Sequence, residues 1–434
     1  MSLNLFVSTG ILKLMQKVYS LKKRPINPIA LAMVTFSTLI KTLWLLSIPT
    51  QSTLMENDSV RYLQISKDFG SVFFGSKSNS DSFFITPGYP LFLSFFPSEN
   101  IKLMIFFQLL LLGISQLILF KLIVRYTSTK IAYIGLILFL TESSSGLESF
   151  NLLTETLFNF IFVLFLFLFG NGTSKNLVLY ASGMVLGIAL IVRPVGQILL
   201  IPLLLMVAFR SWRRQATLVL LIAVVLPGTW LIRNQVVFGV PQLSGIQSLN
   251  LLYYEGAGAF AKNNEVTLKE AQAVENKLEI NKVGEGASIQ TVVNYRGNRG
   301  FNLIFKNSIG FLEMHIEGAA KILVGPSSAN FSKLTAHFML SEVVVNGIKA
   351  IIVLLRFFIT LSVCICIYFA LRERIFIPIQ FYAIVSWILI LISSGGANAY
   401  SRFRVPLIPL EIIIICIGLS SAIQQSRLRK ISSH

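Results

Sequence analysis

Apolar runs of membrane length recur along this chain, and they restrict its fold more than any other feature. The first, "IALAMVTFSTLIKTLWLLSIP", already meets the roughly 20 residues that a helix needs to cross the hydrocarbon of a bilayer. Barrel strands would be about 10 residues long and would alternate in polarity, which these runs do not. Spans are predicted at roughly 28–48, 100–124, 130–143, 152–170, 176–192, 196–210, 216–232, 344–371, 375–393 and 405–423, the third and sixth being short. The expected fold is an all-α polytopic membrane protein with about ten transmembrane helices. With 54% hydrophobic residues, 35 Phe and only 13% charged residues, the chain is far more apolar than a water-facing surface allows.

A formal net charge of +18 raises the question of nucleic acid. The Lys and Arg residues, however, gather in the hydrophilic gaps between spans, so they read as a topology signal and no nucleic acid is expected. If the "KKR" at Lys22 to Arg24 is cytoplasmic, alternate gaps such as "RSWRRQ" and "QQSRLRK" fall on the same side, and both termini are cytoplasmic. The N-terminal stretch has its charges after a short apolar segment and no cleavage site, so a retained segment is expected rather than a signal peptide. Short loops favour a prokaryotic plasma membrane.

Three parts follow: an N-terminal transmembrane module, 1–232, with a first outer loop at 49–99; a large outer loop, 233–343; and a C-terminal transmembrane module, 344–434. In the large loop, "TLKE" at Thr267 to Glu270 reads as a capping box opening a polar helix through about Leu278. Further on, "GFNLIFKNSIGFLEMHIEGAAKILVGP" is amphipathic and suits the membrane surface. Cys364, Cys366 and Cys416 lie inside apolar runs, and His315, His337 and His434 have no ligand spacing, so no metal site is expected from them.

Chemistry should sit on the outer face. On a helix beginning near Asp58, residues Asp58, Arg61, Tyr62 and Ile65 share one face, presenting a carboxylate, a cation and a phenol beside the first span, with Glu56 just ahead. From spacing alone Asp58 reads first as a helix N-cap, a role compatible with chemistry at the same residue. Pro87, Gly88 and Tyr89 forbid a regular helix and should bend the chain at the membrane surface, either as a plain connection or to receive a lipid. Arg193, Arg233, Arg402 and Arg404 recur at outer span ends, where few are expected unless an anion is bound; Arg suits phosphate through its bidentate fork, and snorkelling is the plainer alternative. Glu155 heads the fourth span, a capping position favoured by the helix dipole. Glu411 is an intramembrane carboxylate that could pair with an outer Arg, and "GMVLG", Gly183 to Gly187, reads as close helix packing.

Taken in order, "NDSVRYLQIS", "TPGYPLFLSFF", "LLTETLF", "IVRPVGQILLIPLL", "PGTWLIRNQVVFGVPQLS" and "SRFRVPLIPL" resemble the GT-C membrane glycosyltransferases. The likeness is to the family of dolichyl-phosphate-mannose-protein mannosyltransferases and bacterial aminoarabinose transferases, glycosyltransferase family 39. That resemblance implies a sugar donor on a polyprenyl phosphate, a protein, lipid or glycan acceptor, and reaction at the outer surface with inversion. It places the catalytic base on Asp58, with Glu56, Tyr62 and Glu155 as auxiliaries. The four arginines would hold the donor phosphate, and Pro87, Gly88 and Tyr89 its lipid. Many relatives carry a second acid after the base, where this chain has Ser59. No cofactor is required, and a divalent cation is admitted. A polymerase or ligase of lipid-linked glycans, or a non-enzymatic transporter, are the competing readings.

Overall fold

The computed structural model describes residues 27–74, 80–171, 175–284, 286–336, 340–373, 376–397 and 399–432. The expected retained N-terminal segment with Lys22 to Arg24, and His337 and His434, lie outside them. Among the described residues every regular element is helical. Five helices are long and apolar enough to cross a membrane: Pro28–Ser47, Ile101–Tyr126, Arg213–Phe238, Glu342–Glu373 and Ser401–Ser426. Five more are apolar but shorter: Thr129–Thr141, Thr154–Phe169, Asn176–Val192, Pro194–Val207 and Pro378–Ser394. Together they stand where the apolar runs predict spans.

The breaks in these helices follow from proline. Pro194 has no N–H to donate, and the chain there winds as a 3-10 turn, Pro194–Leu199, before continuing as Leu200–Val207. Pro227, in the first turn of Val225–Phe238, likewise withholds a donor where that helix parts from Arg213–Ala223.

The helix Thr154–Phe169 forms the centre of the bundle, with most of its length buried. Phe158, Phe162, Phe165 and Phe169, spaced by three and four, stack along one face at centroid separations of 6.0, 6.2 and 5.5 Å. Around it, packing is close rather than merely apolar, as it must be where lipid offers no hydrophobic drive. A Cβ on Gly183 would meet Val219 O and Ile222 Cβ at 2.7 Å, and one on Gly187 would meet Ala223 O at 2.9 Å. "GMVLG" therefore seats the helix Asn176–Val192 against Arg213–Ala223, as its spacing predicts.

Glu411 pairs not with an outer arginine but with Arg356, inside the long helix Glu342–Glu373. Two parallel bonds of 2.9 and 2.8 Å join them, and both side chains are buried. Trp387 Nε1 donates to the same carboxylate at 3.3 Å, and Arg356 Nε donates to Leu323 O at 3.1 Å. Removing one partner strands the other charge in the interior, which costs about 3–5 kcal/mol. Glu411→Ala is therefore expected to unfold at markedly lower temperature in detergent, with Glu411→Ala/Arg356→Met recovering much of the loss. An unchanged melting temperature in the single variant would contradict this.

The loops that follow the first spans are tied together at their roots. Leu152 N–H donates to Leu54 O at 3.0 Å, and Ser59 Oγ donates to Leu152 O at 2.9 Å. These bonds hold the start of the helix Asn57–Lys67 against the head of Thr154–Phe169. The large loop folds as helices too. Leu268–Val283 opens on the Thr267–Glu270 capping box, as predicted, and runs five residues beyond Leu278. The amphipathic stretch forms Ile289–Lys306 and Ser308–Val324, parted at Asn307.

Candidate active site

The helix Asn57–Lys67 places Asp58 in its first turn but does not use it as the cap. Glu56 holds the capping position, and its N–H donates to Ser59 Oγ at 2.9 Å. The N-cap reading of Asp58 is thus replaced by Glu56, and the half-buried Asp58 carboxylate makes no hydrogen bond or ion pair among the described residues. Ser59 is the buried hydroxyl that both serves this cap and bridges to Leu152.

One turn on, Tyr62 packs edge-to-face on Tyr89 with ring centroids 5.0 Å apart. Tyr89 is fully buried, and its hydroxyl donates to Gln108 Oε1 at 2.7 Å. Gln108 Nε2 in turn donates to Asn151 O at 2.8 Å. Instead of the expected bend, Pro87 caps a short helix, Gly88–Leu93, because Pro and Gly are tolerated where a helix begins. Its start is pressed on the end of Asn176–Val192, where a Cβ on Gly88 would meet Val192 Cγ2 at 2.7 Å. Tyr89 therefore faces into the protein and braces Tyr62. The Tyr62 hydroxyl is pushed well above the usual phenol range by burial, and further by the Asp58 and Glu155 carboxylates. It stays protonated and can only act as a hydrogen-bonding neutral group.

Glu155, in the first turn of Thr154–Phe169, is buried and forms an ion pair of 2.9 Å with Arg193, the residue that ends Asn176–Val192. Arg402 approaches from the 3-10 turn Ser401–Leu407 and lies within electrostatic reach of Glu155, Asp58, Glu148 and Tyr62. The Arg402 and Arg193 guanidinium groups both stand at the Phe403 ring, 5.2 and 5.5 Å from its centroid. Arg193 is engaged by its acid. Arg402 is not: its Nε is buried without a hydrogen-bond partner, and it forms no ion pair among the described residues.

Three further residues belong to this cluster and were not among the predicted ones. The helix Ser328–Thr335 brings Lys333 to within 2.7 Å of Glu56 and 2.9 Å of Met55 O, and Asn330 Nδ2 to 2.5 Å from Glu148 Oε1. Glu148, in the connection ahead of Thr154–Phe169, also accepts from Asn151 Nδ2 at 3.1 Å. Burial, and then the nearby Glu155 charge, push the Glu148 carboxyl up to about 7. The folded protein thus binds a proton there that the unfolded chain releases above about pH 4.5. Stability therefore falls as pH rises from that value through 7. Glu148→Gln, which keeps the neutral shape, is expected to flatten this decline, so its melting temperature should exceed that of the wild type by a few degrees at about pH 8. Parallel melting curves for the two proteins across this range would contradict the assignment.

The structure does not bring Arg404 or Arg233 into the cluster. Arg404 is fully buried and bonded to Ile322 O, Gly325 O and Ser144 Oγ, with Glu142 at 3.5 Å. Arg233 donates to Phe73 O at 2.9 and 3.2 Å and to Ser82, and faces the Trp230 and Phe238 rings. Both guanidinium groups hold loop backbone in place. Among the described residues no group of three or more His, Cys, Asp or Glu side chains is arranged to hold a metal ion.

No family model matches the chain. No curated protein matches it either. Among solved structures, it is similar to the archaeal oligosaccharyltransferase from Archaeoglobus fulgidus in complex with an inhibitory peptide and a dolichol-phosphate, at 15% identity and a TM-score of 0.47. That similarity covers 93% of this chain and 51% of the other, so the chain spans about half the length of that protein.

Proposed function

We propose that this protein is an outer-face membrane glycosyltransferase, moving a sugar from a polyprenyl-phosphate donor to a protein, lipid or glycan acceptor in a plasma membrane. The observation that carries the reading is the unspent guanidinium of Arg402 beside the unspent carboxylate of Asp58. The Glu155, Asp58 and Glu148 carboxylates keep the Arg402 charge in place, while its buried Nε–H lacks a hydrogen-bond acceptor, which an anion arriving with the substrate can supply.

In this reading Asp58 takes the proton from the acceptor hydroxyl or amine as that atom attacks the anomeric carbon. The bond from carbon to phosphate oxygen breaks with inversion. The leaving phosphate gathers negative charge, which Arg402 meets directly and Arg193 supports, a role matched to the fixed bidentate fork of Arg. Glu155 holds Arg193 in place at 2.9 Å. Tyr62, kept neutral, can hydrogen-bond the donor without adding charge.

Supplying purified protein with a polyprenyl-monophosphate monosaccharide and, separately, with a diphosphate-linked oligosaccharide tests this proposal. Sugar transfer from the monophosphate alone is expected. Transfer only from the diphosphate would instead favour a ligase of lipid-linked glycans, and solute uptake without transfer would favour a transporter.

A further inference from the structure

A second polar site lies in the large outer loop, apart from the cluster around Asp58. After the helix Ile246–Asn250 the chain makes a single π-helical turn, Leu251–Gly256, which carries Glu255. π turns of this kind re-aim a side chain by inserting an extra residue, and they recur at functional sites. Glu255 Oε2 lies 3.4 Å from His315 Nε2, at the floor of an open groove of about 490 Å3. Gly396 passes directly over the carboxylate: a Cβ there would fall 2.1 Å from Glu255 Oε1. A larger residue there would have to push the Glu255 carboxylate out of its present position.

We infer that this groove binds the ammonium headgroup of a membrane lipid. The charge pattern is the first reason. Elsewhere in this loop the buried and partly buried carboxylates have cations, Glu275 having Arg299 and Glu279 having Arg296, and the exposed Glu317 has Lys262. In a chain with 37 Lys and Arg against 19 Asp and Glu, Glu255 forms no ion pair with Lys or Arg among the described residues. Its Oε2 is buried without a hydrogen-bond partner.

The histidine does not fill that vacancy as a fixed cation. His315 Nδ1 is 3.0 Å from Phe311 O, so in the neutral ring Nδ1–H donates there and Nε2 faces the carboxylate as a second acceptor. The two acceptors need a shared proton or an incoming cation. Burial raises the Glu255 carboxyl to about 7 and lowers His315, so the pair exchanges its proton near neutrality. Among the described residues, Glu255 and His315 are the only ionisable ones lining the groove. The ionisable groups on the helices packed around it either pair with one another, as above, or, like Lys306 and Glu313, lie off its lining.

The walls supply the rest of an ammonium site. Phe301, Phe305 and Phe311 line the groove, and aromatic faces attract ammonium groups. Asn250 and Ser393 add neutral polar atoms. The location selects a lipid over a soluble amine. Ile392 and Ser393 close the end of the apolar helix Pro378–Ser394. On the other side, Phe301 and Phe305 near the end of Ile289–Lys306, and Ile309, Leu312 and Ile316 on Ser308–Val324, are exposed apolar residues at three- and four-residue spacing within each helix, with Phe305 77% exposed. Such residues rest in the interfacial region of a bilayer, where acyl chains cover them.

The test uses purified protein in phosphatidylglycerol nanodiscs doped with a phosphatidylethanolamine, with retained lipid counted by native mass spectrometry. The ethanolamine lipid should be retained selectively, and Glu255→Gln should weaken retention by about tenfold, the loss of one charge-assisted bond. Phe305→Ala, at an exposed position that folding does not need, should weaken it about threefold. Because the ammonium displaces a proton, wild-type retention should strengthen between about pH 6 and 8, and Glu255→Gln should lose that dependence. Equal retention of both lipids by the wild type, or unchanged retention in Glu255→Gln, would overturn the inference. So would free ethanolamine competing as well as the lipid, which would make the ligand a soluble amine.

Discussion

Asp58→Asn abolishes sugar transfer while leaving the protein folded, inserted and able to bind donor: this is the first result expected of the arrangement described above. The loss should be on the order of 10²–10⁴-fold, the range of a general base. Asn keeps the shape and the place in the first turn of Asn57–Lys67, and the cap of that helix is Glu56, so folding does not depend on the Asp58 charge. The bridge from Ser59 to Leu152 is also untouched. Transfer of radiolabelled sugar by purified protein measures the effect, with melting temperature as the control. Asp58→Glu should recover part of the activity, because the base returns at a longer reach.

Arg402→Ala should lower turnover by about 10²–10³-fold, the cost of removing one preorganised partner of developing charge. It should also weaken donor binding, since the phosphate is anionic before reaction begins. Arg402→Lys restores the charge but not the planar fork and should recover only part of the loss. Arg193 is already held by Glu155, so Arg193→Ala should also disturb the position of that acid and give a mixed effect on folding and turnover. Wild-type donor affinity in Arg402→Ala would show that the unspent guanidinium serves some other purpose.

Helix positions were readable in the sequence because hydrocarbon admits only long apolar runs, and the same runs appear as Ile101–Tyr126 or Asn176–Val192. The Thr267–Glu270 box was readable because capping is local. What pairs across the chain was not. Lys333 reaches Glu56 and Asn330 reaches Glu148 from helices far apart in sequence, and no spacing rule connects them. The outer arginines looked alike in the sequence, yet Arg404 and Arg233 are consumed by backbone carbonyls while Arg402 is not. Which carbonyls lie nearby is decided by tertiary packing. Asp58 looked like an N-cap because the true cap, Glu56, works with a serine rather than with the usual N3 acid. Arg356 did leave a signal, a lone cation deep in an apolar run, which in a membrane calls for a buried partner.

The central claim is that donor phosphate is held at Arg402 and that Asp58 acts only in the chemical step. Binding of a polyprenyl-phosphate monosaccharide to wild type, Arg402→Ala and Asp58→Asn, each measured in detergent at equilibrium, separates the two roles. The account predicts tight binding by wild type and Asp58→Asn and weakened binding by Arg402→Ala. Failure of the folded wild type to bind any such lipid, or equal binding by Arg402→Ala, would contradict it.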